Sequence, residues 1–169
     1  MPAARARRLE IPMKPEIGLT DRQRSGVIEI LTATLADEYL LYTKTRNYHW
    51  NVVGPQFNDL HKLFETQYEA LDDIVDDVAE RSRSLGGHAI GTLAELAQHA
   101  RLKENPGQYP DSHTMVRHLL ADHEALVASL RRDLAIAQDQ HGDAGTADFL
   151  TGLMEKHEKN AWMLRAILS

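Results

Sequence analysis

Residues 57–110 read FNDLHKLFETQYEALDDIVDDVAERSRSLGGHAIGTLAELAQHARLKENPGQYP, and this stretch decides the fold. Leu60, Leu63/Phe64, Leu71, Ile74/Val75 and Val78 recur at three- and four-residue steps, which predicts a helix from near Phe57. Arg81 and Arg83 fall in its last turn, where cations suit the helix dipole, and Gly86-Gly87 stops it. Residues 88–110 are too many for a plain turn. Within them Thr92-x-x-Glu95, followed by Leu96 and Ala97, predicts a short capped helix, and Asn105-Pro106-Gly107 and Pro110 mark irregular chain. Toward the N-terminus, a capping box at Thr20-x-x-Gln23 opens a helix carrying Val27, Leu31, Leu35, Leu41 and Tyr42. It should end near Trp50–Asn51, before Gly54-Pro55. Toward the C-terminus, one helix is expected from about Ser112 to Asp139 and another from about Ala144 to Leu168, with His141-Gly142-Asp143 as the turn. No segment alternates with period two over the length of a strand. The chain reads as all-α: a four-helix bundle with one long, helix-bearing connection between its second and third long helices.

Composition narrows the function classes. The 169 residues suit one domain, and 43% apolar with 26% charged residues describes a globular chain. No apolar run approaches the roughly 20 residues of a membrane span, and no secretory leader is legible, so the expected setting is the cytosol. The absence of cysteine excludes disulfides, thiolate catalysis and cysteine-bound metal, so any metal must rest on nitrogen and oxygen. The net charge of −6 is unevenly spread. Arg5, Arg7, Arg8 and Lys14 against Glu10 give residues 1–15 a charge of +3, and the remainder carries 15 basic and 24 acidic residues. The expected organisation is a basic tail over 1–19 and a bundle over 20–169. An acidic body does not bind nucleic acid through its general surface; a basic tail can, or it is simply a solvated terminus.

A metal centre inside a bundle ordinarily needs Glu-x-x-His on two helices. No glutamate here has a histidine three residues later. The second helix instead offers two pairs at four-residue spacing, His61 with Glu65 and Asp76 with Glu80. All four share one stripe, but His61 and Asp76 stand about 22 Å apart along the axis at 1.5 Å per residue. Ligands sit about 2.0–2.2 Å from a metal, so the pairs cannot serve one ion within one chain. Two antiparallel copies of this helix about a two-fold axis near residue 70 would bring the pairs together twice, with His49 adding a nitrogen. Two imidazoles and three carboxylates suit iron and tolerate zinc or manganese. The same spacing also describes an ordinary solvated helix face.

The run Asn47-Tyr-His-Trp-Asn-Val-Val-Gly-Pro-Gln-Phe-Asn-Asp-Leu-His-Lys-Leu-Phe resembles the signature of the Dps family, mini-ferritins that protect DNA in starved cells. Asp76-Asp-Val-Ala-Glu-Arg81, Ser84-Leu-Gly-Gly87 and His157-Glu-Lys-Asn-Ala-Trp-Met-Leu164 extend the likeness, which covers residues 20–168. It implies the ferritin-like fold, a hollow homododecamer, and a ferroxidase centre at a two-fold interface formed by His49, His61, Glu65, Asp76 and Glu80. Ferrous iron and hydrogen peroxide would be the substrates. The family usually has aspartate where this chain has Glu65, which puts the bridging geometry in question. The resemblance further gives Trp50 an electron-donating role beside the iron. It places Asp139, Asp143 and Asp148 at acidic three-fold pores for iron entry; turn and helix-cap chemistry is the alternative for these aspartates. Arg5, Arg7, Arg8 and Lys14 are the candidates for weak, sequence-independent DNA contact, or for nucleoid condensation as a main activity. A purely structural bundle is the third reading. His88, His99, His113, His118, His123, His141 and His157 carry no assignment.

Overall fold

The computed structural model describes residues 14–169. Five helices follow in order: α1 Asp21–Asn51, α2 Phe57–Ser84, α3 Leu93–His99, α4 Ser112–Asp139 and α5 Ala144–Leu168. Both expected capping boxes form. Thr20 accepts from the Gln23 N–H at 3.3 Å while its own N–H donates to Gln23 Oε1 at 2.9 Å, and Thr92 and Glu95 repeat the exchange. Asp111 and Asp143 cap α4 and α5 through the N–H groups of Thr114 and Thr146. Gly54, at φ +114°, makes the break between α1 and α2 in a backbone region closed to residues with a Cβ.

Short links make α1/α2 and α4/α5 antiparallel hairpins, and their facing stripes close one core. Leu31, Leu41, Phe64, Leu71, Leu119, Leu126, Leu130, Leu150 and Leu164 are all fully buried. Each such side chain contributes roughly 1.5–3 kcal/mol of transfer free energy. The connection 85–111 with its α3 crosses outside α1 and α4, and ion pairs fasten it. Asp37 on α1 accepts from the backbone N–H groups of Arg101 and Leu102, at 2.6 and 2.9 Å. The Arg101 guanidinium spans Asp37 and Asp133, and Lys44 Nζ reaches the Lys103 carbonyl and Asp122, each at 2.6 Å.

Apolar periodicity in α1 predicts a single greasy stripe, yet α1 also buries Arg24, Asp37, Glu38, Lys44, Thr45 and His49. These side chains find partners 12 to 119 residues away or in the preceding turn, a relation that local pattern does not carry. Leu19, at the end of the expected tail, packs on the core. No helix among the described residues is long and apolar enough to cross a membrane.

Candidate metal centre

The end of α1 and the start of α2 bring His49 and His61 into contact because the link between the helices is short. Their rings stack, with centroids 3.8 Å apart and planes 18° from parallel. Nδ1 of His49 donates to the His61 carbonyl at 2.8 Å, and Nδ1 of His61 donates to the His49 carbonyl at 2.9 Å. A carbonyl oxygen only accepts, so both Nδ1 atoms carry a proton, and the neutral form of each ring keeps its lone pair on Nε2. This reciprocal clasp fixes the tautomer and ring orientation that a metal ligand requires. Phe57 stacks on His61 at 5.0 Å and Tyr68 meets His49 edge-on at 5.2 Å, shielding the pair.

Glu65 lies one turn beyond His61 on α2 and is half-buried. Asp76 and Glu80 lie further along the helix, both exposed, and Asp76 shares a shallow hollow with Asp72, Asp73 and Asp77. Among the described residues, no three His, Asp or Glu side chains of one chain come together as a metal-binding group. Within one chain, His49 at the end of α1 meets His61 and Glu65 near the start of α2, while Asp76 and Glu80 stand toward the other end of α2.

Trp50 is 65% exposed, and the Arg46 guanidinium lies 5.3 Å above its ring. The same guanidinium stands 5.7 Å from Tyr42 and 5.4 Å from Tyr68. Asp139 and Asp148 are exposed. Asp143 is only 5% exposed, caps α5 and pairs with Arg81, so in this chain the carboxylate is already committed to structure. Lys14 pairs with Asp21 at 2.6 Å. Arg5, Arg7 and Arg8 lie outside the described residues.

Three histidines without a sequence assignment are engaged inside the bundle. His157 Nε2 lies 2.9 Å from Glu38 Oε1, and its Nδ1 lies 2.9 Å from Nδ1 of His123; all three residues are fully buried. The two ring centroids are 5.1 Å apart, longer than the nitrogen separation by nearly the full two ring radii. The nitrogens thus face each other along one line, the geometry of a shared proton rather than of two ligands bent around an ion. Burial, and secondarily His157, holds His123 well below the usual histidine range. Tyr48 on α1 pairs with His118 on α4. A signal for the first group existed: His123 sits in register with Leu119, Leu126 and Leu130, and His157 with Leu153, Leu150 and Leu164. A histidine on a core stripe needs a buried partner.

Residues 28–169 match the ferritin-like domain family. The chain is 38% identical over 144 residues to DNA protection during starvation protein 2 of Bacillus anthracis, covering 85% of this chain and 97% of that one. It belongs to the Dps family. Another relative of this Dps chain is a low temperature-induced protein of Nostoc sp., 53% identical over 152 residues, with 90% of this chain and 85% of that one covered. The Dps protein of Vibrio cholerae O1, described as a member of a broad superfamily of ferritin-like diiron-carboxylate proteins, superposes with a TM-score of 0.86 at 29% identity. That match covers 92% of this chain and 97% of the other. The fold is therefore the ferritin-like four-helix bundle, with the short α3 in its long connection.

Proposed function

We propose that this Dps-family chain is a ferroxidase that oxidises ferrous iron at a centre shared by two copies, stores the ferric product in a hollow homododecamer, and so protects DNA. The observation that carries the reading is the His49–His61 clasp. It leaves both Nε2 atoms free of the clasp at one end of α2, toward whose other end stand the carboxylates of Asp76 and Glu80. His49, His61 and Glu65 of one copy, with Asp76 and Glu80 of a second, make an N₂O₃ donor set that suits iron and also admits zinc or manganese. The diiron-carboxylate description of the Vibrio cholerae protein supports the same chemistry.

Iron is the substrate here. Two ferrous ions give one electron each to hydrogen peroxide, the O–O bond breaks, and two ferric ions and two hydroxides result. The protein positions the ions and holds them close to a common oxidant. Removing iron and peroxide together suppresses hydroxyl radical formation, which protects DNA without contact. Direct DNA binding through Arg5, Arg7 and Arg8 is a secondary reading, resting on the +3 charge of residues 1–15.

Anaerobic ferrous titration, followed by peroxide, tests this reading. Ferric absorbance should rise to a fixed iron-to-chain ratio and fall away in His61→Ala. Light scattering should give about 230 kDa, twelve chains of 19.0 kDa. Ferric formation no faster than in protein-free buffer, or a stable monomer, would remove the proposal.

A further inference from the structure

Four aromatic side chains cluster at the end of α1: Tyr42, Tyr48, Trp50 and, from α2, Tyr68. Three of them share one cation. Arg46 stands 5.3–5.7 Å from the ring centres of Tyr42, Trp50 and Tyr68, and its guanidinium also donates to the Tyr42 hydroxyl. A positive charge over a π face lowers the energy of the ring electrons, so each of these rings gives up an electron less readily.

Tyr48 differs on both counts. It lies one residue before His49, turned toward α4, and is 3% exposed. Its hydroxyl is 2.8 Å from Nδ1 of His118, with the rings 35° from coplanar. Oxidised phenol is a strong acid, and losing an electron without losing the proton would leave a bare positive charge in a low-dielectric interior. The hydrogen-bonded imidazole removes that obstacle by taking the proton. Asp122, one turn along α4 from His118 and itself bound to Lys44, supplies negative charge near the imidazolium that results.

We propose that Tyr48, with His118 as its proton acceptor, is the internal one-electron donor of this protein, in place of Trp50. The inference rests on the ferroxidase reading for its oxidant. When a centre holds a single ferrous ion, iron can give hydrogen peroxide only one of the two electrons that cleavage of the O–O bond requires. Tyr48 gives the second. The phenolic O–H bond breaks, its proton passes to His118 Nδ1 and its electron to the oxidant. One ferrous ion, one peroxide, Tyr48 and neutral His118 become one ferric ion, two hydroxides, a tyrosyl radical and an imidazolium. No hydroxyl radical leaves the protein.

Freeze-quench electron paramagnetic resonance decides, using the full chain with less iron than its centres hold, then peroxide. A tyrosyl signal is expected, lost by at least about tenfold in Tyr48→Phe and retained in Trp50→Phe and Tyr68→Phe. His118→Phe should slow its appearance and abolish its solvent deuterium isotope effect, which a merely packing role would not do. Tyr48→Phe keeps the buried ring and loses one oxygen, so folding is spared. The same radical should form in iron-free protein oxidised by flash-generated ruthenium(III) tris(bipyridine). That arm judges the donor even if no ferric iron forms and the ferroxidase reading fails. A tryptophanyl end state in either arm, or an undiminished signal in Tyr48→Phe, overturns the assignment.

Discussion

Arg81 Nη2 lies 3.2 Å from Asp143 Oδ1, and its Nε donates to the Thr146 hydroxyl at 3.0 Å, joining the last turn of α2 to the cap of α5. Asp143 is thereby held inside the fold, whereas Asp139 and Asp148, the other residues expected at an iron-entry pore, are exposed. The expected consequence separates the three aspartates. Asp143→Ala, which loses both the cap and the ion pair, should cost about 1–3 kcal/mol in thermal unfolding. It should leave the initial rate of ferric formation unchanged in molecules that remain folded. Asp139→Asn with Asp148→Asn should do the reverse, slowing stopped-flow iron oxidation at low ionic strength with little change in stability. Equal slowing by Asp143→Asn would return it to the pore.

Sharing of the centre across two copies has a combinatorial signature. His61→Ala and Asp76→Ala should each abolish ferroxidase activity in pure assemblies. After dissociation and random reassembly of an equal mixture, about one quarter of the sites should pair an intact imidazole half with an intact carboxylate half. Ferric absorbance per chain should recover in that proportion. Recovery of none, with mixed assemblies verified by mass spectrometry, would point away from a shared centre.

The Glu38–His157–His123 line makes stability depend on pH. His123 is held well below its ordinary value of 6.5, so below pH 6.5 the unfolded chain binds a proton that the folded chain refuses. Its contribution is complete above pH 6.5 and is lost as pH falls, by up to about 1.4 kcal/mol per pH unit. Chemical denaturation at fixed protein concentration should therefore show a larger drop between pH 7.5 and 5.5 in the wild type than in His123→Leu. Equal drops would remove His123 from the account.

Deletion of residues 1–13 tests DNA binding. Gel retardation of duplex DNA should be present at low salt, fall steeply as salt rises, and disappear on deletion, while iron oxidation persists. Twelve linked weak contacts would supply the avidity. Lys14→Ala alone should change little, because Lys14 is already paired with Asp21. Retardation that survives the deletion would place any DNA contact elsewhere.

Local physics determined most of the architecture from the sequence. Caps at Thr20 and Thr92, breaks at Gly54 and Gly86-Gly87, and the three- and four-residue recurrence of Leu and Val all act within one or two turns, so α1 to α5 were legible with their ends. The stripe of His61, Glu65, Asp76 and Glu80 was legible for the same reason, since helix geometry alone fixes which residues share a face. Tertiary structure decided the pairings that span the chain. The tautomers of His49 and His61 depend on carbonyls twelve residues away, and the burial of Glu38 depends on His157, 119 residues distant. For Asp143 the sequence left pore lining and helix capping both open until Arg81 arrived from another helix. Of the two aromatics beside His49, the resemblance singled out Trp50 and nothing in the sequence singled out Tyr48. Only packing gave Tyr48 a half-buried imidazole base and set Trp50 under a cation, because the partner of a polar group is set by the fold and not by its neighbours in sequence.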